Sequence, residues 1–148
     1  LQQGGAHILS LLEAMSPLVA HASLLPFIEA YSVVFDLLAR LPAEEGLSES
    51  ECVAQALREG KQAYLQRRIT SEASIGKILF GNGYKLAANL GLTSGNATEE
   101  GTALRERRIQ LLRDFKELSR RLDRIRLMAL AEELAWPSSN GIQTNATA

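Results

Sequence analysis

The sequence predicts an all-α protein: a helical bundle of about five helices, with a long basic helix near the C-terminus and a disordered tail. Three observations predict it. Apolar residues recur at spacings of three and four, the period of a one-sided helix. Ser48 and Glu51 form an S-x-x-E helix-start signature. From Leu104 to Ala129 the apolar residues follow a seven-residue repeat. A length of 148 residues fits one domain, expected over residues 1–135, with 136–148 as the tail.

Residues 6–23 are apolar and interrupted by Pro17, which predicts one or two short helices with Ser16 as N-cap and Pro17 at the first helical position. Pro26 is a second first-turn proline and starts the next predicted helix. Phe27, Tyr31, Val34, Leu38 and Leu41 form its apolar stripe, and Glu29, Ser32, Asp36 and Arg40 fall on the opposite side. Pro42 ends it, and residues 43–47 read as a polar loop. Ser48 then caps a helix with Val53, Leu57, Gly60 and Tyr64 along one stripe. Gly60 costs about 1 kcal/mol relative to alanine there, so its expected role is the close approach of a neighbouring helix. Arg67 and Arg68 suit the negative end of that helix dipole.

Ser71 is the predicted cap of the next helix, with Ile75, Leu79, Leu86 and Leu90 on one face and Gly91 at its C-terminal stop. Gly81-Asn82-Gly83 marks a kink or break. Gly91 to Thr98 reads as a linker. Thr98 caps the final helix, whose repeat places Leu104, Leu111, Leu118 and Ile125 at one position and Phe115, Leu122 and Ala129 at the other. Arg108 interrupts that second series. After Pro137 the composition predicts disorder.

Several function classes are excluded or left without support. One cysteine, Cys52, rules out an internal disulfide framework and CxxC-type zinc sites. Cys52 reads as a small buried hydrophobe. The only histidines, His7 and His21, lie in apolar sequence with no carboxylate placed beside them, so a core or interface role is expected of each. No catalytic residue, cofactor site or metal ligand is assigned. Gly81-Asn82-Gly83-Tyr84-Lys85 lacks the full phosphate-loop pattern. The N-terminus shows no signal peptide, so the Asn-Ala-Thr triplets at Asn96 and Asn145 read as chance. The longest uncharged run, Ala14 to Ile28, falls short of the roughly 20 residues a membrane span needs. It reads as a core helix or a docking surface.

The net charge of −1 hides an asymmetry. Residues 104–126 carry nine basic and four acidic side chains, residues 1–103 seven and eleven, and residues 127–148 none and two. Arg105, Arg108, Arg113, Lys116, Arg120 and Arg124 are the candidate contacts with an anionic surface: lipid headgroups or an acidic domain. Nucleic acid is not expected, because no aromatic residue interleaves with the arginines. The simpler reading is a solvated helix with internal pairs, Glu106 with Gln110 and Arg113 with Glu117.

One resemblance emerges. Leu25-Pro26-Phe27-Ile28-Glu29-Ala30-Tyr31 is followed by Ala63-Tyr64-Leu65-Gln66-Arg67-Arg68-Ile69, by Ser74-Ile75-Gly76-Lys77-Ile78-Leu79-Phe80, and by Lys85-Leu86-Ala87-Ala88-Asn89-Leu90-Gly91-Leu92. This order resembles the C-terminal helical region of bacterial membrane-associated glycerol-3-phosphate acyltransferases, over about residues 24 to 130. The basic final helix is similar to the tail of actinobacterial-type members. The resemblance implies an enzyme that moves an acyl group from acyl-CoA or acyl carrier protein to the 1-hydroxyl of glycerol 3-phosphate, in phospholipid biosynthesis. In that family a His-x-x-x-x-Asp motif supplies the general base. Here Leu12 follows His7 and Pro26 follows His21 at that spacing, so no catalytic residue carries over.

The expectation is an accessory region that packs on a catalytic domain upstream of Leu1. It would aid peripheral association with the cytoplasmic face of the cell membrane and would be inactive alone. A different class fits the repeat of the last helix: a free-standing helical dimerisation or ligand-binding module of a regulator. A small independent enzyme is a third reading, for which no general base is placed.

Overall fold

The computed structural model describes residues 17–95 and 100–135, which hold four α-helices and one short 3-10 turn. The helix expected before Pro17, Ser16, His7, the Thr98 cap, both Asn-Ala-Thr triplets and the tail from Trp136 lie outside the described residues. Helix α1 spans Pro17–Arg40, α2 Glu49–Leu65, the 3-10 turn Glu72–Ser74, α3 Lys77–Asn89 and α4 Glu100–Ala135.

Pro17 does open a helix, but Pro26 does not: α1 runs unbroken through it. An interior proline removes one ladder bond, at a cost of about 3 kcal/mol. Tertiary burial outweighs that cost. Ile28, Ala30, Val34, Phe35, Leu37 and Leu38 are all buried, the largest contribution of any helix to the core. The segment His21–Arg40 is long and apolar enough to cross a membrane by length and composition. In this fold its apolar side chains form the interior instead.

The predicted capping box is present. Ser48 Oγ accepts from the Glu51 amide at 3.4 Å, and the Ser48 amide donates to Glu51 Oε2 at 3.1 Å. Helix α2 packs its small residues, Ala56, Gly60 and Ala63, against its neighbours. A Cβ on Gly60 would sit 3.0 Å from Cζ of Phe80, itself fully buried. The expected close approach is therefore real, and its partner is α3. Gly60→Ala should lower stability by about 1–2 kcal/mol in a urea melt, because displacing Phe80 outweighs the gain in helix propensity. A more stable variant would show that Phe80 yields freely.

Helix α3 departs from its predicted layout in three ways. Ser71 caps the 3-10 turn rather than the helix, and makes no side-chain capping bond there. The N-cap of α3 is Gly76. No break occurs at Gly81-Asn82-Gly83. Gly81 and Gly83 are buried, and a Cβ on Gly83 would lie 3.2 Å from Tyr31. The glycines therefore seat α3 close against α1. The buried face is Phe80, Gly81, Gly83 and Ala87, while Leu90 is 41% exposed. Gly91 ends the helix as expected, with φ +71°. The Leu92 and Gly91 amides donate back to Ala87 and Ala88, closing a Schellman motif.

Helix α4 lies antiparallel to α1 and makes the most extensive packing in the molecule with it. Phe115 meets Phe35 edge-on with centroids 4.7 Å apart, and Tyr31 at 6.0 Å. Leu104 and Leu122 are buried. Leu118 and Ile125 are not, at 43% and 46% exposure. On α1 the matching residues Leu24 and Phe27 continue the Tyr31–Val34–Leu38 stripe yet are also half exposed. Helix α3 covers that stripe only from Tyr31 onward, so the N-terminal part of α1 and the C-terminal part of α4 project as a two-helix arm.

Candidate functional site

The six nominated cations do not form one surface. Arg105, Arg113, Lys116, Arg120 and Arg124 are exposed. Arg108 is 1% exposed and cannot meet an external anion. Its guanidinium donates to four backbone carbonyls: Leu92 at 2.8 Å, Pro42 at 3.2 Å, Glu45 at 3.0 Å and Ser94 at 3.2 Å. Burial lowers its pKa from the ordinary arginine value, so these dipoles replace the water that burial removed. The physical reason is positional. Arg108 occupies the buried seam of α4, four residues after Leu104 and three before Leu111, and two loops fold over it.

The predicted internal pairs also shift. Glu117 bonds Arg120 at 3.2 Å and Arg121 at 3.3 Å rather than Arg113. Gln110 donates to Asp114 at 2.8 Å rather than meeting Glu106. Arg121 in particular holds the Glu117 carboxyl below the usual range. Arg113, Lys116, Arg120 and Arg124, with Leu127 and Leu134, recur at three-, four- and seven-residue spacings and share one edge of α4. Leu127 and Leu134 are 65% and 88% exposed. That edge is basic in its middle and apolar toward the end of the helix.

A polar cleft of about 330 Å³ opens beside this edge. Helix α1 contributes Glu29, Ser32, Val33 and Asp36; Glu59 and Ala63 come from α2; Arg68 and Ile69 follow it. Lys116, Ser119 and Arg120 of α4 close the other side. Each carboxylate is already engaged. Asp36 and Glu59 both pair with Arg40, Asp36 at 3.0 Å. Glu29, expected on the solvent side, is only 9% exposed. Its Oε1 accepts from the Thr70 amide at 2.8 Å and hydroxyl at 2.7 Å. Its Oε2 accepts from the Ser71 amide at 3.2 Å and the Ser74 hydroxyl at 2.5 Å. Glu29 thus ties the loop after α2 to α1. That loop is tightly wound: Arg67 sits at φ 57°, a left-handed conformation uncommon for a side chain other than glycine.

Two residues with chemical potential lie elsewhere. His21 is buried, and its Nε2 is 3.3 Å from Asp123 Oδ1 across the arm. The histidine does have a carboxylate partner, one that sequence separation concealed. Neither residue lines the cleft, and the pair joins α1 to α4. Cys52 is fully buried, as expected, and burial first and Glu49 second push its thiol up to about 11. Thiol reagents at pH 8 should therefore label it only as fast as the protein unfolds. A folded-state value above the reference of 9.0 means that stability holds below 9.0 and falls as pH rises toward 11. Thermal melts across that window should show a slope that Cys52→Ala reduces. Among the described residues no three His, Cys, Asp or Glu side chains gather as a metal site.

Comparison with known proteins places these features. A family model described as the glycerol-3-phosphate acyltransferase C-terminal region matches residues 1–96, which include α1 to α3. Curated relatives occur in Mycobacterium bovis and in two strains of Mycobacterium tuberculosis, each named as a candidate acyltransferase, plsB1. Each is 34% identical over 124 residues, which is 84% of this chain. The chain spans only 19% of the length of these relatives. No solved structure matches.

Proposed function

Since the chain belongs to the glycerol-3-phosphate acyltransferase family, as its C-terminal region, we propose that it is the accessory helical part of an enzyme that acylates glycerol 3-phosphate. The acyl-transfer chemistry lies elsewhere in the polypeptide. The arm packs on the catalytic domain through Leu24, Phe27, Leu118 and Ile125. The basic edge of α4, with Leu127 and Leu134, meets an anionic membrane surface.

The observation that carries this reading is the distribution of exposed apolar side chains. Among the described residues, eight of the twelve large ones are on the arm: Val19, Leu24, Phe27, Leu118, Ile125, Leu127, Met128 and Leu134. Contiguous exposed apolar surface on a soluble domain marks a surface that another partner covers. The arm is also where the chain enters α1, so a domain preceding it in the polypeptide is held nearby at high effective concentration.

In the whole acyltransferase polypeptide, Phe27→Glu with Ile125→Glu should split a single thermal transition into two and reduce acyl transfer by about tenfold or more. One transition with full activity would overturn the packing. The 148-residue chain alone should show no acyl transfer, and measurable turnover would overturn the placement of the chemistry. Binding to vesicles should require anionic lipid and weaken with salt. Equal binding to neutral vesicles would overturn the membrane role.

A further inference from the structure

We infer that the cleft between α1, α2 and α4 is a binding site for a small hydroxylated phosphate ester, distinct from any acyl-transfer centre. The inference does not depend on the packing or membrane roles above. Three elements far apart in sequence bring Arg68, Lys116 and Arg120 to one cavity of about 330 Å³. That is at the lower end of the roughly 300–1,000 Å³ typical of small-ligand sites.

The charges on the lining sort into engaged and available groups. Asp36 and Glu59 share Arg40, and Glu29 accepts four hydrogen bonds. Arg120 pairs with Glu117. Arg68 bonds only the neutral Gln66, through Nε at 2.9 Å, which leaves the outer edge of its guanidinium for another acceptor. Lys116 makes no ion pair among the described residues. An arginine fork and a lysine facing one cavity suit a phosphate.

The formal charges of the lining nevertheless cancel, three acidic against three basic. A bare anion gains little there. A phosphate that also carries hydroxyl donors gains more, because Asp36 and Ser119 supply acceptors beside the cations. The site therefore selects a polyol phosphate over inorganic phosphate. Glu29 makes the site possible from beneath, by fixing the loop that follows Arg68 and Ile69.

Titration of the 148-residue chain by calorimetry and amide NMR tests the site, with glycerol 3-phosphate, inorganic phosphate and glycerol as soluble probes. Vesicles of phosphatidylglycerol with phosphatidylcholine present the same chemistry as a lipid headgroup. Saturable binding of glycerol 3-phosphate, with shifts confined to the cleft, is expected. Arg68→Ala and Lys116→Ala, both at exposed positions, should each weaken it by about tenfold. Asp36→Asn should bring inorganic phosphate to within about twofold of glycerol 3-phosphate. Vesicle binding lost on Arg68→Ala, without soluble binding, would support the site and assign its ligand to a headgroup. No binding at millimolar probe would overturn the inference, as would binding untouched by Arg68→Ala with Lys116→Ala.

Discussion

Replacing Arg108 by methionine should destabilise the protein by about 3–4 kcal/mol, a large share of the 5–15 kcal/mol that holds a domain folded. The side chain keeps its length, so the loss is electrostatic. Four backbone carbonyls from two separate loops would lose their shared donor. Those loops also touch directly. The Leu47 amide donates to Thr93 at 2.9 Å, and a Cβ on Gly95 would overlap the Glu44 backbone. Arg108 sits under that junction and draws both loops onto α4. Arg108→Lys should recover only part of the loss, since an ammonium cannot reach acceptors arranged around a planar fork. Urea denaturation measures the total. Hydrogen exchange at the Leu47 amide separates local release of the loops from global unfolding. A methionine variant within about 1 kcal/mol of the parent would show that the loops hold themselves.

The second large effect is expected at Glu29. Glu29→Gln preserves shape and volume but turns one acceptor oxygen into a donor. Whichever way the amide lies, two of the four donors from Thr70, Ser71 and Ser74 then face an NH₂ group. The cost should be about 2–4 kcal/mol, and Glu29→Ala should exceed it by adding a cavity. The test is again a denaturant midpoint, paired with amide exchange at Thr70 and Ser71. The loop should loosen more than the helices. A glutamine variant with the parent midpoint would show that water replaces the carboxylate without penalty.

Local signals in the sequence were read well, and tertiary ones were not. The capping box at Ser48 and Glu51, the left-handed stop at Gly91 and the close approach at Gly60 each depend on a few neighbouring residues. The α3 stripe was misread because its buried face is made of glycine and alanine, which carry almost no hydrophobic signal. Pro26 looked like a boundary because its cost is local, while the burial that outweighs it comes from other helices. Arg108 did leave a trace, an arginine in an otherwise apolar seam. Charge counting placed it with the surface cations instead. Glu29 left no comparable trace, since its partners lie 41 to 45 residues away. The cleft was equally hidden, because Arg68 and Lys116 belong to different segments.

The pairing of α1 with α4 carries a further consequence for how the protein is made. The largest contact in the molecule joins the beginning of the described chain to its end. Such a contact has high sequence separation, and its loop-closure entropy is paid before any packing returns. During synthesis α1, α2 and α3 emerge with Tyr31 and Phe35 still lacking Phe115. Folding completes only when α4 is released. Until then the nascent chain exposes its most apolar helix, so this region should form late, in one step, and be vulnerable to aggregation while it waits.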